Sequence, residues 1–242
     1  MPGYGWVIFA LLGLAGLAAC LGSLYVARAR RRALARFAGK RGLSFKRSER
    51  LRVPKLMNES RLFLGWRLRA RNVMRGVYRD REVLAFELPP NALPPSHTTL
   101  RRRGGWQENL LSVCLFRLPA GLPRLAVSPM NVLDADLFGF FRGDDRYNMQ
   151  LESDAFNRTF RVQSDDRKFA FDVLSAEVMS WLLDHPGWAI DFAADWFVVR
   201  SGALWVPGDY SKVLDFGAGL LERVPEFVWQ EYGERSAAEG SS

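Results

Sequence analysis

YGWVIFALLGLAGLAACLGSLYVA, residues 4–27, runs for 24 residues without a charge, and RARRR follows at once as residues 28–32. At about 1.5 Å per residue, a helix of that run is roughly 36 Å long. A bilayer presents roughly 30 Å of hydrocarbon. A helix on the surface of a soluble core needs only one apolar stripe, whereas this run is apolar on every face. Trp6 and Tyr25 stand near its two ends, where aromatic rings favour the membrane interface. The reading is a single transmembrane helix over residues 4–27, contacting the lipid bilayer along that length.

Nine basic residues follow with no acid among them: Arg28, Arg30, Arg31, Arg32, Arg36, Lys40, Arg41, Lys46 and Arg47. Positive flanks stay on the cytoplasmic side. The N-terminus is therefore expected outside and the remainder of the chain in the cytoplasm. Residues 28–47 read as a basic juxtamembrane stalk, with Arg28, Arg30, Arg31, Arg32 and Arg36 as the membrane-surface contacts on anionic lipid headgroups. A cleavable signal peptide would carry its charge ahead of the apolar run. Leu17-Ala18-Ala19-Cys20 has the look of a bacterial lipobox, but Cys20 is followed by more apolar chain and then by arginines, which favours an ordinary small residue inside an anchor. Ala15, Ala19, Gly22 and Ser23 would let a second helix approach closely, so a homodimer or a protein partner through that face is a further expectation.

The formal charge of +8 belongs to the region beside the anchor. Residues 28–47 carry +9, whereas residues 134–242, with ten basic and twenty acidic residues, carry −10. Nucleic-acid binding needs its cations on a folded surface, and no nucleic-acid partner is expected. Cys20 and Cys114 are the two cysteines, one in the anchor and one in an apolar run; they suit a reducing compartment. With His97 and His185 as the two histidines, a Cys/His zinc site lacks its ligands.

The remainder, residues 48–233, reads as one soluble α+β domain, mostly an antiparallel β-sheet with two or three packing helices. Val73–Tyr78 and Val83–Leu88 form a hairpin around Arg79-Asp80-Arg81. Further strands are expected at Leu62–Leu68, Leu110–Leu118, Arg124–Val127, Asn148–Glu152 and Thr159–Val162. Trp188 to Arg200 reads as a second hairpin that turns at Ala193-Ala194-Asp195. Ser175 caps a helix that stops before Pro186-Gly187. A second helix starts near Asp209, with Tyr210, Val213, Leu214, Gly217, Leu220, Leu221 and Val224 on one face before Pro225. Gly217 on that face implies the close approach of a neighbouring backbone. Pro89–Gln107 is a long aperiodic loop, and residues 234–242 read as a disordered tail.

No nucleotide loop, serine elbow or kinase signature is present. Asp144-Asp145 and Asp165-Asp166 are acidic pairs of the kind that binds a divalent metal, but each lies beside cations in a turn. His185 reads as a helix C-terminal cation, and Phe138, Phe140 and Phe141 as part of a short core helix. No catalytic residue, cofactor-binding residue or metal ligand is expected.

Two neighbouring segments carry a resemblance. Residues 152–162 (ESDAFNRTFRV) and 165–174 (DDRKFAFDVL), with 122–129 (LPRLAVSP) and 223–229 (RVPEFVW), resemble a bacterial, mainly actinobacterial, family of membrane-anchored proteins of unknown function. The likeness spans roughly residues 60–230. It implies an inner-membrane protein and brings no activity or site residue with it. Read physically, Phe156 and Phe160 bury beside Val162, Arg158 and Arg161 pair with Asp165 or Asp166, and Phe169, Phe171 and Val173 anchor the next helix. The expectation is a membrane-tethered scaffold or sensor that binds protein or lipid. The rival reading is a metal-dependent hydrolase or transferase built on the acidic pairs.

Overall fold

The computed structural model of the chain describes residues 5–51, 68–88, 111–130, 145–201 and 204–239. Its first element, α1 (Gly5–Lys40), is one helix of 36 residues. It is long and apolar enough to cross a membrane, and within it the usual relation of polarity to packing is inverted. Phe9, Leu11, Leu12, Leu14, Leu17, Leu21 and Leu24 are bare, whereas Leu34 and Ala38, in the basic part, are fully buried. The helix ends where Gly42 adopts φ +69° and Leu43 N–H reaches back 2.9 Å to the Ala38 carbonyl. Only glycine takes that left-handed conformation at no steric cost.

The chain then enters β1 (Ser44–Leu51), which pairs antiparallel with β2 (Leu68–Tyr78). The stalk expected over 28–47 is thus two folded elements, and the domain boundary expected at 47/48 falls inside a strand. Lys46, Arg47 and Arg50 sit on β1, a sheet edge, where charged side chains discourage pairing with another chain. β2 joins β3 (Arg81–Leu88) through Arg79 and Asp80, at φ +45° and +61°, the geometry that follows the right-handed twist of a two-residue hairpin.

The sheet's spine is β4 (Leu111–Pro129), 19 residues long. One edge of it pairs first with β3 and then with β6 (Phe160–Ser164), and β7 (Ala189–Arg200) follows the other edge along both halves. The short β5 (Asn148–Met149), after a turn at Asp145–Tyr147, pairs with β6 and completes seven strands among the described residues. The strands expected at Leu110–Leu118 and Arg124–Val127 are therefore one strand, bent between Arg117 and Leu125 where its register with β7 shifts. The hairpin expected across Ala193-Ala194-Asp195 is likewise one continuous strand. Ala194, at φ +52° opposite Leu122, is a bulge that lets β7 follow the bend.

Pleating sends alternate residues to opposite faces. Val83, Ala85, Cys114, Phe116, Phe197 and Val199 pack in the larger core with Leu34 and Ala38. Leu84, Phe86, Leu88, Val113, Leu115 and Val198 form a second cluster. The larger core is covered by α4 (Ala176–Asp184), α5 (Pro207–Leu221) and α6 (Glu226–Glu239). Ser175 Oγ caps α4 by accepting from Val178 N–H, as expected. α5 stops at Leu221, short of Pro225, and α6 is helical as far as Glu239. The tail expected from Glu234 onward is thus helical through six more residues, because Glu, Arg and Ala favour the helix and no proline interrupts them.

The motif of residues 152–174 works as a fold-defining unit. Ser153 caps α2 (Asp154–Thr159), the rings of Phe156 and Phe160 stack 4.9 Å apart, and Asp166 caps α3 (Arg167–Val173) by accepting from Phe169 N–H at 3.0 Å. Asn157 clasps the backbone of Leu151 twice, at 3.0 and 2.7 Å. The expected strand over 62–67, the loop Pro89–Gln107, Asp144 and the phenylalanines 138, 140 and 141 lie outside the described residues.

Candidate functional site at the junction of helix and sheet

On the α1-facing side of the sheet, the positions after Val83 and Ala85 on β3, and before Cys114 and Phe116 on β4, are polar: Glu87 and Ser112. Both are fully buried. Glu87 meets Arg30, one turn beyond the uncharged run, and Ser112 joins them through Trp205. Arg30 Nε and Nη2 donate to Glu87 Oε1 at 3.1 and 2.6 Å, and Nη2 also donates to the Trp205 carbonyl at 2.6 Å. Asn72 Nδ2 donates to the other Glu87 oxygen at 2.6 Å. Asn72 sits at φ +49° where the register between β2 and β3 shifts, a conformation that asparagine tolerates better than most residues.

Ser112 Oγ accepts from Trp205 N–H at 3.0 Å and from Tyr210 Oη at 3.3 Å. The Trp205 ring is edge-on to Trp188 and Tyr210, and its Nε1 donates to Ser201 Oγ at 2.6 Å. Burial, reinforced by the nearby Glu87 carboxylate, pushes the Tyr210 phenol well above its ordinary range. The cluster forms a polar lock between α1, three strands and the start of α5. A buried ion pair of this kind resists the loss of either partner.

At its far end α1 makes a second joint. Arg41 Nη2 donates to Ser211 Oγ at 2.5 Å and Nη1 to Tyr78 Oη at 3.3 Å, and the Phe37 ring lies 6.2 Å from that of Tyr210. Tyr78 donates to Asp215 at 2.5 Å, and Arg79 pairs with Asp215 at 3.2 Å and with Glu222 at 3.4 Å. The helix is therefore fixed at Arg30, along Leu34, Phe37 and Ala38, and again at Arg41.

Of the five predicted membrane-surface residues, Arg28, Arg32 and Arg36 are exposed, Arg31 is half-buried, and Arg30 turns inward to Glu87. Position in the sequence could not separate them, because the partner of Arg30 is 57 residues away. Asp165 and Asp166 engage backbone rather than each other's neighbours: Asp165 accepts from Arg124 N–H at 3.2 Å, and Asp166 is the α3 cap. Burial raises the Asp165 carboxyl, against the downward pull of Arg124. The His185 ring lies against that of Trp181, tilted by 33°, with ring centres 4.3 Å apart. Among the described residues, no group of three or more His, Cys, Asp or Glu side chains is placed to hold a metal ion. Cys20 is exposed and Cys114 buried, without a disulfide.

Fold and junction define a class: an α+β domain on a long helix whose apolar part is bare and whose basic part packs into the domain's core. Among solved structures, the chain is similar to the crystal structure of the mycobacterial trehalose monomycolate transport factor A, TtfA. The identity is 11%, the TM-score 0.52, and the match covers 82% of this chain and 97% of that one. At that identity the likeness concerns the fold. No protein-family model matches the sequence, and no curated protein matches it.

Proposed function

We propose that the protein is a membrane-tethered, non-enzymatic accessory factor that works at the surface of a bacterial inner membrane through lipid or protein contacts, with its domain on the cytoplasmic side. The observation that carries this reading is the inversion along α1, whose apolar part is bare and whose basic part is packed into the domain. A helix of this kind places the sheet at a fixed height and angle over a bilayer, the geometry a factor needs to present one face to a membrane partner. The nine basic residues of 28–47, with no acid among them, support the cytoplasmic orientation. The fold is similar to that of a mycobacterial trehalose monomycolate transport factor, which supports a search among the machinery of lipid transport. The resemblance of residues 152–174 to an actinobacterial membrane-anchored family supports the inner-membrane location and carries no activity.

The reading is tested by affinity purification of the detergent-solubilised chain from bacterial membranes, with lipids and proteins both identified. Reproducible recovery of a membrane transporter or of a defined lipid is expected. Recovery of neither would sink the proposal. Orientation is read separately from Ser242→Cys in a Cys20→Ala background. A membrane-impermeant maleimide is expected to label it only after the cells are opened.

A further inference from the structure

Outside α1, the described domain exposes few large apolar side chains, and two of them lie two residues apart: Leu204, 37% exposed, and Val206, 54% exposed. They flank Trp205, which is buried and held by Ser201, Ser112 and Arg30. A rigid platform thus pushes two aliphatic side chains outward just before Pro207 starts α5. Nothing in the core explains their position, since the residue between them supplies the packing.

Their height is set by Arg30. The uncharged run ends at Ala27, and three further residues of helix rise about 4.5 Å. Helix side chains lean towards the N-terminus, here the apolar end, so the Arg30 guanidinium and the Trp205 carbonyl 2.6 Å from it lie level with Arg30 or closer to the apolar run. Taking roughly 30 Å of hydrocarbon within a bilayer of about 40–45 Å, each headgroup layer is roughly 5–7.5 Å deep. The Trp205 carbonyl falls within that layer when Ala27 lies at the hydrocarbon boundary, and Leu204 and Val206 are its neighbours in the chain. Arg28 and Arg32, exposed on α1 at the same level, face a layer rich in phosphate.

We propose that Leu204 and Val206 form a second, shallow membrane contact, a wedge in the headgroup region that holds the domain against the bilayer beside its anchor helix. This rests on the reading that α1 crosses the membrane. Among the described residues, two side chains are too small a patch for a stable protein interface, which needs about 800 Å² per partner. An aliphatic pair flanking a residue whose carbonyl is held by Arg30, one turn beyond the uncharged run, fits the boundary between headgroups and acyl chains.

The test uses the whole chain in nanodiscs of phosphatidylcholine and phosphatidylglycerol. An environment-sensitive fluorophore is attached in a Cys20→Ala background at Leu204→Cys, Val206→Cys, Leu14→Cys or Val77→Cys; Cys114 is buried and stays unlabelled. Val77 is exposed beside the hairpin at the Arg41 end of α1 and serves as the distant control. Quenching by lipids spin-labelled near the headgroup is expected to be several-fold stronger at positions 204 and 206 than at 77, with position 14 quenched best by deep labels. If position 14 responds to deep labels while 204 and 206 behave like 77, the wedge is overturned and the anchor stands. If position 14 is not quenched either, the anchor reading fails and the wedge fails with it.

Discussion

Removing the Arg30 guanidinium leaves the Glu87 carboxylate in a fully buried site with the Asn72 amide against it. Arg30→Ala is therefore expected to cost about 3 kcal/mol, near the lower end of what breaking a buried pair costs, because the arginine keeps some exposure. Replacing both partners with apolar residues, Arg30→Met with Glu87→Leu, is expected to cost clearly less than the single change. Urea midpoints of the detergent-solubilised chain measure both. Gly217 offers a second residue-scale check, since a Cβ there would overlap the Phe116 ring in the core. Gly217→Ala is expected to lose about 1–3 kcal/mol through overpacking, and Phe116→Leu in the same chain should recover part of it. The sequence marked Gly217 as a point of close approach by its place on an apolar helix face. The neighbour proves to be a ring from β4 rather than backbone, which periodicity alone could not tell. Tyr232 sets an alkaline limit: burial first, then its hydrogen bond to Asp172, pushes the phenol up to about 12 from 10. Below pH 10 both folded and unfolded chains keep the proton and the stability is whole. Between 10 and 12 the unfolded chain ionises first, so stability falls as pH rises. The Tyr232→Phe chain should show a shallower loss across that window in urea midpoints taken from pH 9 to 12.

At the scale of elements, β4 and β7 run side by side through a shared bend, and Ala194 takes the left-handed conformation that the bend requires. A non-glycine residue there carries a strain of about 1 kcal/mol. Ala194→Gly is expected to stabilise the domain by a few tenths to about 1 kcal/mol, the gain being reduced by glycine's freedom in the unfolded chain. Ala194→Val should instead destabilise it; thermal unfolding of the two variants decides the sign. In the sequence, this bulge and a hairpin turn look alike, because both ask for short polar or small residues between alternating apolar ones. The β2–β3 hairpin was legible, since its two strands are adjacent and its turn is two residues long. β1 was not: Ser44–Leu51 is mostly charged, and it is a strand only because β2 lies ready to pair with it. The caps at Ser153, Asp166 and Ser175 are local devices, bonding three residues ahead. Ser175 was legible from the sequence alone for that reason.

Across the whole molecule, composition announced the apolar helix and the antiparallel α+β class. It could not announce that the same helix enters the core, since Leu34 and Ala38 sit among arginines and read as stalk. In the proposed function, that continuity makes the helix a rigid mount rather than a flexible tether, and the shallow wedge depends on it as well. It is tested most directly by electron–electron resonance distances in nanodiscs, between spin labels at Leu14→Cys, in the apolar part, and Val77→Cys, on the sheet, in a Cys20→Ala chain. A single narrow distance distribution is predicted, broadening in Arg30→Ala. A broad or multiple distribution in the otherwise unaltered chain would mean that the helix hinges near residue 28, and would contradict the account.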